Sequence, residues 1–197
     1  MKTIGLTGSI GMGKSAVAQM FADEGIAMFD ADAVVRRLQG PGGRLLPAIE
    51  AAFPGTSGLD GVDRAELGAR VFDDDAAIKR LEAIVHPAVG EERAAFLAQH
   101  GDDDMVVFDI PLLFETGGDR QVDIVVVVSA DPATQQARVL ARPSMTRERL
   151  ADILARQTPD AEKRARADHV IRTDCPMDQT RAAVRRVIAC VRASQDR

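Results

Sequence analysis

The sequence predicts an α/β protein built on a five-stranded parallel sheet. Three observations predict it: short β-branched runs, helical patterns between them, and one glycine-rich loop joining the first run to the first helix. Ile4-Gly5-Leu6-Thr7, Met105-Val106-Val107-Phe108 and Ile124-Val125-Val126-Val127-Val128 read as strands. Apolar runs without polar alternation suit strands covered on both faces, as in a parallel sheet. Ile26 to Phe29 and His169 to Ile171 are weaker candidates for two further strands. Ser15 to Ala22 carries Val17, Met20 and Phe21 at helical spacing, and the C-terminal stretch carries Val184, Val187, Ile188 and Val191. Strands alternating with helices imply right-handed crossovers onto one sheet.

Residues 33–100 break this rhythm. They contain no convincing strand, and Leu45, Leu46 and Ile49, then Leu67, Val71, Ile78, Leu81, Ile84 and Val85, form helical patches. A helical insertion between two strands predicts a substrate-binding subdomain, with Gly40 to Gly43 and Pro54 to Gly61 as loops. Asp73-Asp74-Asp75 and Asp102-Asp103-Asp104 read as solvated acidic turns. The expected organisation is a core of residues 1–32, 101–137 and 167–197, an insertion over 33–100 and a lid over 138–166.

The chain has 197 residues, is 46% hydrophobic and carries a net charge of −5. That length suits one core domain with an insertion. The acidic balance argues against a nucleic-acid coat or an anionic-membrane binder. No apolar run is long enough to span a bilayer, and the N-terminus does not read as a secretory signal. Cys175 and Cys190 match no metal or redox spacing and read as reduced thiols in a cytoplasm. Within the acidic whole, residues 138–166 form a basic island that includes Arg138, Arg142, Arg147, Arg149, Arg156, Lys163, Arg164 and Arg166. Such an island is either a solvated helix face or a lid that grips phosphate.

Gly8-Ser9-Ile10-Gly11-Met12-Gly13-Lys14-Ser15 fits the phosphate-loop pattern G-x-x-x-x-G-K-S/T between a strand and a helix. Its glycines permit backbone conformations and close approaches that a Cβ opposes. The loop N–H groups and the helix N-terminus then form an anion site. Lys14 can reach the β- and γ-phosphates of a nucleotide, and the Ser15 hydroxyl can ligate Mg²⁺. Expected nucleotide contacts are Gly8, Gly11, Met12, Gly13, Lys14, Ser15, Ala16, Arg138 and Arg142. A GTPase reading falls because the chain has no Asn with which to build the usual guanine-selecting Asn-Lys-x-Asp loop. A motor ATPase usually needs a longer chain. A small-molecule kinase fits the insertion and the basic island.

Asp30-Ala31-Asp32 follows the second strand candidate, where a carboxylate could accept a proton from an acceptor hydroxyl, although one of the pair could be a helix cap. Asp109 ends the run Met105 to Phe108, the usual place for a carboxylate in the magnesium shell. Arginine at position 142 suits charge neutralisation because it stays charged and presents a planar fork of donors.

Several separated motifs together resemble the dephospho-CoA kinases. They are Gly5 to Ser15, Asp30-Ala31-Asp32, His86-Pro87, Asp109-Ile110-Pro111-Leu112-Leu113-Phe114-Glu115, Arg138, Arg142 and Arg149, Gln157, Lys163, and Ala167-Asp168-His169-Val170-Ile171. They run in order over almost the whole chain. The resemblance implies transfer from ATP, with Mg²⁺, to the ribose 3′-hydroxyl of dephospho-CoA, the last step of coenzyme A synthesis. It implies Asp32 as base, Lys14 and Arg142 on the transferring phosphoryl group, and Ser15 and Asp109 at the metal. His86, Pro111, Leu112, Leu113 and Glu115 would shape the acceptor site with Asp32. No protein partner is implied. The family often continues after the Val-Ile pair with an Asn and a Gly-containing turn; here the chain reads Arg172-Thr173-Asp174-Cys175-Pro176. Rival readings are a kinase acting on a nucleoside monophosphate and a nucleotide sensor without transfer activity.

Overall fold

Val125 and Val127 pack on one side of a central sheet, while Val126 and Val128 pack on the other. This is what an unbroken valine run gives when side chains alternate along a strand buried on both faces. The computed structural model describes residues 1–72 and 74–195. They divide into two compact units, Met1–Phe29 with His100–Arg197, and Asp30–Gln99. The insertion expected over 33–100 compares with the second unit; the segment 138–166 lies within the first.

In the first unit, strands β1 (Lys2–Thr7) and β2 (Ala27–Asp30) precede the insertion. The remaining sheet strands appear later in the chain, and β3 and β4 belong to the second unit. Strands β5 (Met105–Asp109), β6 (Ile124–Ser129) and β7 (His169–Arg172) complete the sheet in the order β2-β5-β1-β6-β7. β1 pairs in parallel with β5, Leu6 opposite Asp109, and with β6, Thr7 opposite Val127. β6 pairs in parallel with β7, Ser129 opposite Arg172. Both weaker strand candidates are therefore edge strands of this sheet. Helices α1 (Lys14–Asp23) and α9 (Met177–Gln195) cover one face, where Val17, Met20, Phe21, Val184, Ile188 and Val191 meet Ile4, Leu6, Val107 and Ile171. On the other face Leu113 and Phe114 join Val125 and Val127.

Residues between β6 and β7 form α6 (Pro132–Leu140), α7 (Arg147–Ala155) and α8 (Asp160–Ala165). Asp131 and Thr146 cap the first two, accepting from the backbone N–H of Thr134 and Arg149. Each such cap is worth about 1 kcal/mol.

The second unit holds α2 (Ala31–Gln39), α3 (Leu46–Ala52), α4 (Arg64–Val71) and α5 (Asp75–Gln99) around Leu38, Leu45, Ile49, Phe53, Leu67, Ala77 and Ala88. Asp63 caps α4, and Asp74 caps α5 by accepting from Ala76 and Ala77 N–H. Asp74 thus has a definite task within the acidic run read as a solvated turn, while Asp73 lies outside the described residues. The unit also contains a hairpin of β3 (Ser57–Gly58) and β4 (Gly61–Val62), where the sequence suggested only loop. Two-residue strands leave no periodicity to read. Glu50 fixes the preceding turn by accepting from Gly55 N–H at 2.6 Å and from the Ser57 hydroxyl at 2.8 Å.

Candidate active site

Gly13 ends the phosphate loop with φ of 88° and Gly11 has φ of 78°, both left-handed, so a side chain at either is strained. Gly8 is constrained by space instead, since a Cβ there would lie 2.7 Å from the Val128 carbonyl oxygen. No side chain caps α1, which leaves its first N–H groups to an anion. The loop is held from behind: Gln135 Nε2 donates to the Ile10 carbonyl at 2.8 Å, and Thr173 Oγ1 donates to the Met12 carbonyl at 2.7 Å. Because these bonds are made to carbonyls, they spend none of the loop N–H donors.

A cavity of about 450 Å³ opens over this loop, lined by residues 8–15 together with Pro111, Arg142, Ile153 and Gln157. Lys14 Nζ is ion-paired with Asp109 Oδ1, and both side chains are mostly buried. The parallel register sets this pair, because it brings the end of β5 beside the end of β1 just before the loop. Arg142, past the end of α6, is exposed and reaches the cavity wall. Arg138 lines no part of the cavity; it clamps Thr173, donating to the hydroxyl at 2.9 Å and to the carbonyl at 2.7 Å. Arg149 is exposed on the first turn of α7.

Of the expected metal ligands, Ser15 stands exposed at the start of α1 and Asp109 faces Lys14. A hydroxyl and a carboxylate suit Mg²⁺, which takes oxygen ligands and completes its shell with water and phosphate oxygens. The described residues hold no cluster of three or more His, Cys, Asp or Glu side chains able to bind a metal on their own.

The expected acceptor residues are distributed differently. In the second unit, Asp30 caps α2 by accepting from Ala33 N–H at 2.8 Å, which leaves Asp32 exposed in the first turn. His86 is exposed on α5. In the first unit, Pro111 lines the cavity and Leu112 is exposed. Leu113 is 0% exposed and belongs to the core, so it has no surface for an acceptor. Glu115 Oε1 accepts from Thr158 N–H at 2.8 Å and lies 2.9 Å from Lys163 Nζ, while Oε2 is buried. Burial pushes the Glu115 carboxyl up, but the Lys163 ammonium and nearby backbone N–H groups outweigh it and hold it below the usual range. That placement gives Glu115 a bond to Thr158 and an ion pair with Lys163.

Thr173, Gln135 and the contacts of Gln157 and Lys163 add to the site. Gln157 and Lys163 stood out in the sequence only as pattern residues. Thr173 lies in the segment that departs from the family pattern, and nothing in the sequence gave Gln135 a role.

A concavity lined with backbone donors, with one lysine and one arginine on its wall, suits a polyphosphate, and at the end of a parallel sheet it is the phosphate site of the P-loop class. The sequence profile of the dephospho-CoA kinases matches residues 2–179. A dephospho-CoA kinase from Novosphingobium aromaticivorans is 58% identical over 194 residues, 98% of this chain and 96% of the relative. Another from Bradyrhizobium diazoefficiens is 53% identical, over 96% of this chain and 95% of the relative. The chain belongs to the dephospho-CoA kinase family, whose members use ATP to phosphorylate dephospho-CoA in the last step of coenzyme A biosynthesis. Among solved structures, TT1252 from Thermus thermophilus superimposes with a TM-score of 0.84 at 32% identity, covering 95% of this chain and 96% of that one. A shikimate kinase from Acinetobacter baumannii shares the fold alone, with a TM-score of 0.55 at 17% identity over 98% of this chain and 94% of that one.

Proposed function

We propose that this chain transfers the γ-phosphate of ATP to the ribose 3′-hydroxyl of dephospho-CoA, giving coenzyme A and ADP. The observation that carries the phosphoryl-transfer part is the cavity over residues 8–15 with Lys14 and Arg142 at its wall and Asp109 paired with Lys14. Family membership supports the acceptor.

The chemistry asks for positioning and charge neutralisation more than for covalent steps. The N–H groups at the start of α1 hold the phosphates, with Gly8, Gly11, Met12, Gly13 and Ala16 shaping the loop. Lys14 exchanges Asp109 for the β- and γ-phosphates. Arg142 neutralises charge on the group in transfer. Ser15 and the released Asp109 would hold Mg²⁺, which supplies further neutralisation of the phosphates when bound. Asp32 accepts the proton of the 3′-hydroxyl; the cap role is filled by Asp30, which leaves Asp32 available for this. Pro111 and Leu112 of the first unit are acceptor contacts in this reading, and so is His86 of the second. Arg138 orders the 172–176 segment on the nucleotide side through Thr173.

ATP and dephospho-CoA are the partners in this reading, and the reaction is placed in the cytoplasm. Two free cysteines, Cys175 and Cys190, suit a reducing compartment, and no helix among the described residues is long and apolar enough to cross a membrane.

The test is an ADP-release assay with ATP, Mg²⁺ and dephospho-CoA, followed by the mass of the product. A product heavier by one phosphate, formed only with both substrates, is expected. ADP release that ignores dephospho-CoA and answers to a nucleoside monophosphate would overturn the acceptor assignment.

A further inference from the structure

Gln157 meets the phosphate loop from the segment between α7 and α8. Its Oε1 accepts from the backbone N–H of Ile10 at 3.2 Å, and its side chain lines the cavity over the loop. The orientation of the carboxamide is chemically fixed, because a backbone N–H can only donate and must face the oxygen. The NH₂ end, a donor of two protons, is left for the cavity that Lys14 and Arg142 share. One N–H of the loop is thereby exchanged for a side-chain donor carried by a different part of the chain.

The next residue is pinned. Thr158 N–H donates to Glu115 Oε1 at 2.8 Å, and Glu115 is ion-paired at 2.9 Å with Lys163, which is 0% exposed. A fully buried lysine is tolerated when its charge is paired, and breaking such a pair leaves an uncompensated charge inside the protein. Glu115 therefore ties the turn after α7, on which Gln157 sits, both to α8 and to the loop after β5.

We propose that Gln157 binds a nucleotide phosphate through its NH₂ group, and that the buried Glu115–Lys163 pair positions it. This rests on the kinase reading above, adding a phosphate-binding residue to it and giving Glu115 a positioning role. Gln157 donates to a phosphate oxygen only while its own oxygen holds Ile10, so the loop and the 138–166 segment engage the nucleotide together. No bond is made or broken in this step.

The discriminating variant is Gln157→Glu. It keeps an oxygen acceptor for Ile10 N–H, so bracing of the loop is retained while the donor is lost and a carboxylate takes its place. A residue whose end group lies away from the phosphates tolerates both changes; one that touches a phosphate oxygen tolerates neither. Titration calorimetry with Mg·ATP, without acceptor, is expected to show affinity reduced about tenfold or more, the scale of a lost hydrogen bond to a charged group. Unchanged affinity overturns the phosphate role.

Glu115→Gln retains an acceptor for Thr158 N–H and removes the carboxylate. It is expected to weaken ATP binding in the same direction, and in the double variant its effect is expected to vanish on the Gln157→Glu background, as coupled residues require. Additive losses, or a change confined to KM for dephospho-CoA, overturn the positioning role. If Glu115→Gln fails to fold by circular dichroism, Glu115→Asp, which keeps the charge and shortens its reach, replaces it in the same cycle: ATP affinity lowered in the unaltered background but not further on the Gln157→Glu background supports positioning by the pair, and unchanged affinity or a loss that adds to that of Gln157→Glu overturns it. An unaltered chain that makes no coenzyme A sinks the kinase reading, while the ATP titration still decides Gln157.

Discussion

Arg138 reaches Thr173 with two arms, one to the hydroxyl at 2.9 Å and one to the carbonyl at 2.7 Å, while the same hydroxyl donates to the Met12 carbonyl at 2.7 Å. Thr173 is therefore the link between the arginine of α6 and the back of the phosphate loop. It also sits 3.0 Å from where a Cβ on Gly13 would lie, so loop and threonine constrain each other. Thr173→Val keeps the shape and removes the hydroxyl, stranding the Met12 carbonyl and one arm of Arg138. We expect a loss of about 1–3 kcal/mol, the cost of an unsatisfied buried group. Urea unfolding measures the stability, and KM for ATP is expected to rise with it. A variant as stable as the unaltered chain would show that water replaces the hydroxyl.

The Lys14–Asp109 pair makes a second prediction. Asp109→Asn preserves size and removes the charge. In the free protein it costs Lys14 its partner; in the loaded one, on the proposed reading, it would remove a carboxylate from the metal shell. Turnover is expected to fall about 10²-fold, the scale of losing one fixed electrostatic group. The Mg²⁺ concentration giving half-maximal rate is expected to rise in a metal titration. An unchanged Mg²⁺ dependence would leave Asp109 as an anchor for Lys14 alone.

For Asp32, substitution by Asn is expected to lower kcat about 10²-fold or more, as for removal of a positioned base. Affinity for ATP is expected to stay as it was, because Asp32 is not among the residues that line the cavity over the phosphate loop. Steady-state kinetics with both substrates varied separates the two effects. Intact turnover would remove the base role and restore the sensor reading.

What could be read in advance follows from how far apart the partners lie. The central strands announce themselves locally, since Val125 to Val128 need no distant residue to be recognised as buried. The phosphate loop is contiguous, and its glycines state their own backbone requirements. Asp30 and Asp32 are ambiguous in sequence, because a cap and a base are the same side chain; only the bond to Ala33 N–H shows which of them is the cap. Leu113 and Glu115 read as acceptor residues because the run around them is distinctive. The burial of Leu113 depends on packing against β6, and the pairing of Glu115 on a lysine that arrives much later in the chain. Gln157 and Thr173 lie 147 and 161 residues from their loop partners, a separation that no local pattern encodes.

Lys163 gives a stability prediction independent of activity. Its ammonium is fully buried and faces Glu115. Lys163→Met fills the same volume and leaves a carboxylate without its cation, so a loss of about 3–5 kcal/mol is expected. Adding Glu115→Gln is expected to restore part of it, since the stranded charge is then gone. Recovery in the double variant, read as an unfolding midpoint above that of Lys163→Met alone, distinguishes charge burial from simple loss of packing.

The acid limb of stability has a local source in Asp174. Its carboxyl is lowered from 3.8 to about 2, first by the hydrogen bond from Arg172 and further by the Asp131 N–H, against a smaller opposing effect of burial. A carboxylate with a depressed value binds its proton later in the folded chain than in the unfolded one. As pH falls below about 4, the unfolded chain takes up a proton that the folded chain still refuses, and stability drops. The contribution is complete above the unfolded value and is lost as pH falls through about 2. Asp174→Asn has no such proton to bind. It is expected to be less stable than the unaltered chain near neutral pH, with the gap closing as the solution is acidified toward about pH 3. Urea midpoints of the two proteins at about pH 6 and about pH 3 measure that gap, and the difference cancels other carboxylates that titrate in the same range. A gap that stays constant would mean that the Arg172–Asp174 contact contributes through its shape and hydrogen bonds rather than through its charge.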